Sequence, residues 1–368
     1  MLQIGMFADL PATRQPLPVL GEQKDIRYFG TSPKSLLNGP GTTGMGWWSI
    51  NPYVGCAFGC QYCYARYAHR YVGERLAAQP FEVDGAPHSE TEELPPWLAF
   101  ERRIFVKRDA GALVRRALTK PAILAGLREE GVVIGTATDP YQPAERRFRL
   151  TRAVLEALAE HADLQVTIIT KSPLVTRDLD LLTRIAERSR ITVHVSLITV
   201  DRELARRLEP RAPTPEARLR GIARLRGAGI EVGVNVMPVL PGITDAPEMI
   251  DALVRALAQA NVSYVGACAL RLRRTARDRY IPFIEAEFPA LAERYRRAYA
   301  RGHQVNERYR EGLRERFAAV CAQHGVAYGR YYETTQDGGE NDEEGSGART
   351  GAHGGAQLSL ELDAPLAD

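Results

Sequence analysis

Between residues 103 and 270, short apolar runs rich in β-branched residues alternate with longer stretches of amphipathic helical periodicity. The candidate strands cover residues 104–107, 131–138, 164–170, 191–199, 230–240 and 262–270. The helical stretches cover residues 149–162, 174–188, 215–229 and 246–260. Because the runs are apolar throughout and follow strand–helix–strand order, they predict a parallel sheet, buried on both faces and joined by right-handed crossovers.

A further strand that ends near residue 50 makes six or so β/α units, which favours an open α/β barrel. The alternative is a doubly wound sheet, but no Gly-x-Gly-x-x-Gly follows the first strand. Polar residues 79–100 predict a long loop within the core. We predict four regions: an extended N-terminal arm (1–45), a barrel core (46–280), a helical C-terminal extension (281–333) and an acidic, disordered tail (334–368).

The composition is that of a soluble globular protein, with 45% hydrophobic and 25% charged residues. No apolar run reaches the roughly 18 residues that a membrane helix needs. Residues 1–17 lack the basic-then-apolar order of a secretory signal. We therefore expect a cytoplasmic protein without membrane contact, whose cysteines stay reduced.

Three of the five cysteines, Cys56, Cys60 and Cys63, lie within eight residues, in the stretch GCAFGCQYCYARY (55–67). Thiolates select zinc or iron–sulfur clusters. A structural zinc needs about four protein ligands, and the nearest candidate for a fourth is His69. An iron–sulfur cluster with one iron free of protein ligands needs only three. The missing fourth ligand is therefore a clue to function, and the nearby Gly55 allows a tight bend around a cluster.

The spacing Cys-x3-Cys-x2-Cys, with Tyr62 before the last cysteine, resembles the signature of the radical S-adenosylmethionine (SAM) superfamily. The resemblance implies a partial (β/α)6 TIM-like barrel in which Cys56, Cys60 and Cys63 hold a 4Fe-4S cluster. It also implies that SAM binds the open iron. An electron from a flavodoxin- or ferredoxin-type reductant would then cleave SAM to a 5′-deoxyadenosyl radical that abstracts hydrogen from a substrate.

Over residues 45–330 the chain is most similar to the branch of this superfamily that includes spore photoproduct lyase and its uncharacterised relatives. The segments that carry the resemblance are NPYVGCAFGCQYCYAR (51–66), GTATDPYQPAE (135–145), ITKS (169–172), VHVSLIT (193–199) and MPVLPGITD (237–245).

The resemblance implies cofactor contacts for polar residues at the strand ends. Lys171 and Ser196 match positions that contact the carboxylate and ribose regions of SAM, and Tyr62 would lie beside the adenine. Thr138 and Asp139 match positions that meet the amino group. Simpler alternatives are that Asp139 shapes a turn, Ser196 is a core hydroxyl and Lys171 is a solvated strand end.

Two further positions follow from the same resemblance. Arg271, after the last strand, matches an arginine that often meets the cofactor in relatives. Spore photoproduct lyase uses a cysteine of a Cys-Thr-Ser-Asp-like segment as hydrogen-atom donor, whereas TATD (136–139) has threonine there, so the repair reaction is not implied. Cys268 is a candidate donor if it faces the barrel interior, and inert packing is the alternative. Cys321 has helical spacing that predicts a core position.

Charge is unevenly distributed around the net value of +3. Residues 334–368 carry eight acids against Arg349, a net of −7, so the first 333 residues carry +10. Arginines interleaved with tyrosines follow the last strand: Arg271, Arg273, Arg274, Arg277, Arg279, Arg294, Arg296, Arg297, Arg301, Arg308, Arg310, Tyr295, Tyr299 and Tyr309. Arginine matches phosphates and tyrosine stacks on bases, which predicts a nucleic-acid or nucleotide partner. The alternative is a solvated surface of ion pairs with Glu285, Glu287, Glu293 and Glu307.

The tail contains QLSLEL (Gln357 to Leu362), an apolar patch in an acidic segment. It resembles the bacterial sliding-clamp-binding pentapeptide Gln-Leu-(Ser/Asp)-Leu-Phe, except that Glu361 replaces the final aromatic residue. A clamp contact is one hypothesis, and a short strand that pairs back onto the domain is the alternative.

These observations predict a radical SAM enzyme of lyase or oxidoreductase type that acts on an unidentified substrate, with nucleic acid or a nucleotide as the candidate. The alternative is a non-catalytic module, in which the cysteines hold zinc or an iron–sulfur centre and the arginines bind nucleic acid.

Overall fold

The computed structural model describes residues 18–43, 45–69, 81–83, 86–88 and 94–329. The predicted acidic tail, with its clamp-like segment 357–362, lies outside the described residues. No helix in the described ranges is long and apolar enough to cross a membrane.

The strands of the described chain are short, and several have only two or three residues. They are β1 Val19–Gln23, β2 Ile26–Thr31, β3 Leu37–Asn38, β4 Trp48–Ile50, β5 Tyr53–Val54, β6 Phe81–Val83, β7 Ala86–His88, β8 Arg103–Lys107, β9 Val132–Ile134, β10 Gln165–Thr170, β11 Arg190–Ser196, β12 Glu231–Val239, β13 Tyr264–Ala269 and β14 Ala327–Tyr328.

Helices connect most of these strands. The α-helices are α1 Pro40–Thr43, α2 Pro96–Arg102, α3 Ala110–Leu118, α4 Pro121–Glu129, α5 Pro143–Phe148, α6 Leu150–Leu158, α7 Leu179–Ala186, α8 Arg202–Leu208, α9 Pro215–Gly227, α10 Pro247–Gln259, α11 Arg274–Glu287, α12 Pro289–Ala298 and α13 Glu307–Gln323. Two 3-10 helices cover Tyr64–His69 and Pro173–Asp178.

The main sheet has eight strands in the spatial order β14-β13-β12-β11-β10-β9-β4-β3. The six strands from β4 to β13 in this order pair in parallel, which confirms the predicted partial (β/α)6 barrel. β14 adds a parallel edge, while β3 runs antiparallel to β4 on the other edge. The barrel stays open because these two edge strands do not pair with each other.

The two faces of this sheet differ in chemistry. Outward-facing residues such as Val193 and Val234 belong to one large apolar core with helix residues such as Leu225. The side chains between them point the other way, because successive residues of a strand alternate between faces. The inner face therefore carries polar groups, including a 2.5 Å contact between His194 Nε2 and the Tyr264 hydroxyl. Polar residues on the concave face are positioned for a ligand, whereas the outer face supplies stability.

A second, four-stranded sheet in the order β1-β2-β8-β5 packs beside the barrel. Two predictions are wrong here: strand 104–107 belongs to this small sheet, and residues 19–31 form an antiparallel hairpin instead of an extended arm. Apolar character alone does not say which sheet a strand joins, so the sequence pattern could not separate the two. The predicted loop 79–100 also contains the hairpin β6–β7 and the helix α2.

The predicted helical extension (281–333) contains the second half of α11, α12, α13 and the sheet-edge strand β14. Cys321 is fully buried in the main core, as its helical spacing predicts. Tyr295 and Tyr299 are also buried, and their hydroxyls donate to the carbonyls of Pro241 and Leu270. These two tyrosines close the core under the extension, so the prediction that they stack on exposed bases is wrong.

Candidate active site

The cysteine loop (residues 55–63) follows β5 and is bent at two glycines. Gly55 and Gly59 have φ of +86° and +65°, a left-handed conformation that side chains disfavour. A Cβ atom on Gly55 would lie 2.8 Å from the Phe100 carbonyl oxygen. The tight bend predicted around a cluster is therefore built into the backbone, and Gly55 has no room for a side chain.

The first half of the loop is held by the segment that follows β9. Gln142, which is fully buried, donates from Nε2 to the Gly55 carbonyl at 3.0 Å and accepts from the Ala57 amide at 3.0 Å. The Thr138 hydroxyl donates to the same carbonyl at 2.6 Å. Sequence reasoning missed Gln142, and it assigned Thr138 to the cofactor, whereas the structure uses its hydroxyl to position the loop.

The second half of the loop is held by α2, the 3-10 helix Tyr64–His69 and the end of α8. Arg66 is fully buried, donates to the Cys60 carbonyl at 2.5 Å and pairs with Glu101 at 2.5 Å. The Gln61 amide donates to the Leu208 carbonyl at 3.0 Å. The three cysteines are thus carried on a backbone that neighbouring elements fix from both sides.

All three thiols are free, with Cys56 and Cys60 buried and Cys63 partly exposed. Burial raises the pKa of each thiol, and the thiols interact with one another. The cations of Lys171 and Arg66 act in the opposite direction on the pKa of Cys63.

The donor set fits a metal–sulfur cluster, because soft thiols converge on one loop and fixed cations stabilise their thiolate forms. Within the described ranges, no three His, Cys, Asp or Glu side chains are already arranged as a metal site. The fit therefore rests on the chemistry of the donors.

A buried group of charges lies beside Cys60. Lys171 Nζ is 3.4 Å from Glu209 Oε1 and 5.6 Å from the centre of the Tyr62 ring. The Tyr62 hydroxyl donates to Glu209, which also pairs with Arg218. Burial raises the pKa of Glu209, but Arg218 and Lys171 outweigh it and lower this pKa to about 2.

This group fixes the Lys171 ammonium close to the thiols. Burial lowers the pKa of Lys171, but the Glu209 carboxylate raises it above its ordinary value, so the side chain stays charged. Lys171 is therefore a held cation and not the solvated strand end of the simpler alternative. Sequence reasoning missed Glu209, which directly follows α8, and Arg218, which lies in α9, because neither belongs to a recognised motif.

Asp139 shapes the turn after β9, as the simpler alternative states. Its carboxylate accepts from the Thr170 hydroxyl at 2.7 Å and from the backbone amides of Lys171 at 2.7 Å and Tyr141 at 2.9 Å. It thereby joins the end of β9 to the end of β10 and places Lys171. Contact with the amino group of a cofactor remains a prediction for this residue.

On the inner face of the sheet, Ser196 pairs in register with Asn235 on the next strand. Asn235 is 5% exposed, and its Oδ1 has no hydrogen-bond partner among the described residues. A buried carbonyl oxygen without a partner is costly, so this position fits a ligand that donates a hydrogen bond. Cys268 shares this face by strand alternation, being four residues beyond Tyr264.

The arginines after β13 divide into paired and unpaired groups. Arg296 pairs with Glu285 at 2.6 Å, and Arg310 and Arg314 pair with Glu307, as the solvated-surface alternative predicts. Arg271 is exposed at the end of β13 and bridges through its backbone to Gln304. It makes no ion pair with any described residue.

Residues 50–255 match the model of the radical SAM superfamily. The chain belongs to this superfamily. It is a radical SAM enzyme, and the family implies a 4Fe-4S cluster and SAM as cofactors.

An uncharacterised protein of Mycobacterium tuberculosis is 36% identical over 280 residues, which cover 76% of this chain and 75% of that protein. An uncharacterised protein of Methanocaldococcus jannaschii is 27% identical over 201 residues, covering 55% of this chain and 63% of that protein. Because both proteins are uncharacterised, they indicate no activity for this chain.

Among solved structures, a variant of spore photoproduct lyase superposes with a TM-score of 0.55 at 16% identity, over 86% of this chain and 87% of that one. Spore photoproduct lyase complexed with dinucleoside spore photoproduct also gives 0.55 at 16% identity, over 82% and 81% of the chains. This likeness confirms the predicted fold.

We expect Gln142→Ala to destabilise the protein, because the Ala57 amide and one bond of the Gly55 carbonyl lose their buried partner. The free energy of unfolding should fall by about 2–4 kcal/mol in a urea titration of the metal-free protein. The control is Gln259→Ala on the exposed end of α10, which should cost less than about 0.5 kcal/mol. Equal stability of both variants would show that Gln142 does not hold the loop.

Proposed function

We propose that Cys56, Cys60 and Cys63 hold a 4Fe-4S cluster with one iron free of protein ligands, and that this enzyme cleaves SAM reductively. When bound, the cluster would supply one electron to the sulfonium, releasing methionine and a 5′-deoxyadenosyl radical. The observation that carries the proposal is the loop itself: three thiol donors, fixed on both sides by neighbouring elements, in a chain of the radical SAM superfamily.

The residues around the loop can bind and orient SAM. The Lys171 ammonium, held by Glu209, would attract the carboxylate of the cofactor. Ser196 and Asn235 present polar groups on the inner face, where the Asn235 oxygen lacks a partner in the described chain. We propose Arg271 and Tyr62 as further contacts of the cofactor. Because the Tyr62 hydroxyl donates to Glu209, Tyr62 would contact the cofactor through its ring. Because Tyr62, Ser196 and Asn235 are buried, they would exclude water from the reacting groups.

We propose a nucleotide or nucleic acid as the substrate. Tyr64 and Tyr67, directly after the cysteine loop, are 53% and 40% exposed, which suits stacking on a base. Arg271 and Arg273 are exposed at the end of β13 and can meet phosphate. The solved spore photoproduct lyase complex contains a dinucleoside ligand, which supports this class. Repair of that lesion is not carried over, because residue 136 is threonine.

The hydrogen-atom donor is also a proposal, and so is the electron donor, a flavodoxin- or ferredoxin-type reductant. Cys268 lies on the inner face by strand alternation, so it is the candidate for returning hydrogen to a substrate radical.

Membership in the superfamily favours the enzyme over the non-catalytic alternative. A sliding-clamp contact through 357–362 remains a prediction outside the described residues.

Replacing Cys60 by alanine removes one of three cluster ligands and should abolish the cluster. After anaerobic reconstitution, the variant should lose the brown colour of thiolate-bound iron–sulfur clusters and form no 5′-deoxyadenosine with dithionite and SAM. Cys321→Ala, in the core of α13, is the control and should keep both properties. Persistent 5′-deoxyadenosine in the Cys60 variant would defeat the cluster assignment.

The substrate class can be tested by isotope transfer. With the wild-type enzyme, SAM and dithionite, we expect deuterium from deuterated oligonucleotides or nucleotides to appear in 5′-deoxyadenosine, measured by mass spectrometry. Unlabelled substrate in deuterated solvent controls for exchange. Label that enters from another substrate class, with none from any nucleotide, would contradict the nucleic-acid proposal and leave SAM cleavage intact.

A further inference from the structure

A cavity of about 390 Å³ lies between the cysteine loop, α8 and α11. It is lined by Gln61, Arg207, Arg279, Pro282, Phe283 and Glu287. Gln61 is the residue between Cys60 and Cys63 that lines this cavity, so the cavity reaches the loop that carries the thiols. Its side chain is 7% exposed, and its Oε1 has no hydrogen-bond partner in the described part of the chain.

The arginines around this cavity outnumber the carboxylates available to them. Arg66 and Arg279 share Glu101, at 2.5 and 3.7 Å, while Arg279 lies 4.9 Å from the Trp97 ring centre. Glu287, which lines the cavity, pairs with Arg207. Asp25 pairs with Arg102 and Arg211, and the Arg211 amide donates to the Phe58 carbonyl of the cysteine loop.

A sixth arginine, Arg206, is exposed on α8 and makes no ion pair with any described residue. Arg66 and Glu101 are buried against each other, which leaves five at least partly exposed arginines and two exposed carboxylates, Asp25 and Glu287, an excess of positive charge on this side of the loop. Such a field attracts an acidic protein and steers its encounter with this surface.

The position of the cavity indicates that such a partner would deliver an electron to the cysteine loop. Gln142 and Thr138 hold the first half of the loop, and no residue of the inner face lines the cavity. The inner face, with Lys171 and Asn235, is needed for cofactor and substrate. Reductive cleavage consumes one electron for each SAM, so an electron must arrive from outside while the barrel mouth is occupied. The arginine-rimmed cavity is a second route to the loop.

We propose that this arginine face (Arg102, Arg206, Arg207, Arg211 and Arg279) docks an acidic one-electron carrier protein, with Gln61 at the point of closest approach to the cluster. The proposal rests on the proposed function, since it assumes a cluster on the cysteine loop. The carrier is oxidised by one electron and the cluster is reduced by one. That electron is then consumed when the carbon–sulfur bond of SAM breaks to methionine and the 5′-deoxyadenosyl radical.

The test compares two reductants on the same reconstituted enzyme: dithionite, a small molecule, and an acidic flavodoxin kept reduced by NADPH and its reductase. In the double variant Arg206→Gln/Arg207→Gln, 5′-deoxyadenosine formation with flavodoxin at low salt should fall about tenfold. The rate with dithionite should stay at the wild-type level. The matched control, Arg255→Gln on the exposed surface of α10, should leave both rates unchanged.

A binding titration gives a readout that is independent of catalysis. Oxidised flavodoxin should bind the wild-type protein with an affinity that falls as salt rises, and the double variant should bind about tenfold more weakly at low salt. Unchanged binding and an unchanged flavodoxin-driven rate would overturn the docking proposal, as would an equal loss of rate with both reductants. Absence of 5′-deoxyadenosine from the wild-type enzyme with dithionite would instead contradict the proposed function.

Discussion

The rest of the site depends on how one short loop of backbone is held. Three thiols can share a cluster only if the loop that carries them returns on itself, and here Gly55 and Gly59 make that return in a left-handed conformation. The polar groups exposed by the bend are satisfied chiefly by Gln142, from the distant segment after β9, and by Arg66, from the 3-10 helix that follows the loop. The barrel and the helix after the loop together act as a frame for it.

The second constraint is electrostatic. Glu209 has no solvent around it, and its charge is stable only because Arg218, Lys171 and the Tyr62 hydroxyl surround it. In return, Glu209 holds the Lys171 ammonium near Cys60. One buried carboxylate thus orders a cation, an aromatic ring and the connection after α8 around the thiols. An enzyme that handles a charged sulfonium cofactor needs such fixed groups, because they cost no reorganisation during the reaction.

Much of this architecture could be predicted from the sequence. The apolar runs identified the parallel strands, and the spacing of Cys56, Cys60 and Cys63 pointed to the superfamily. The pattern could not assign strand 104–107 to the small sheet, since a buried strand is equally apolar in either one. Gln142, Glu209 and Arg218 were missed because their partners lie far along the chain, and only the folded chain brings them together. Of the two roles considered for Asp139, its three hydrogen bonds show the shaping of the turn, while the cofactor contact stays a prediction.

The central claim is that three sulfur ligands leave one iron open for the amino and carboxylate groups of SAM. Electron–nuclear double resonance on the reduced, reconstituted enzyme tests it directly, using SAM labelled with ¹⁵N in its amino group. The account predicts a hyperfine coupling between the cluster and the labelled nitrogen, together with a changed cluster spectrum when SAM is added. A reduced cluster whose spectrum ignores SAM and shows no nitrogen coupling would contradict it.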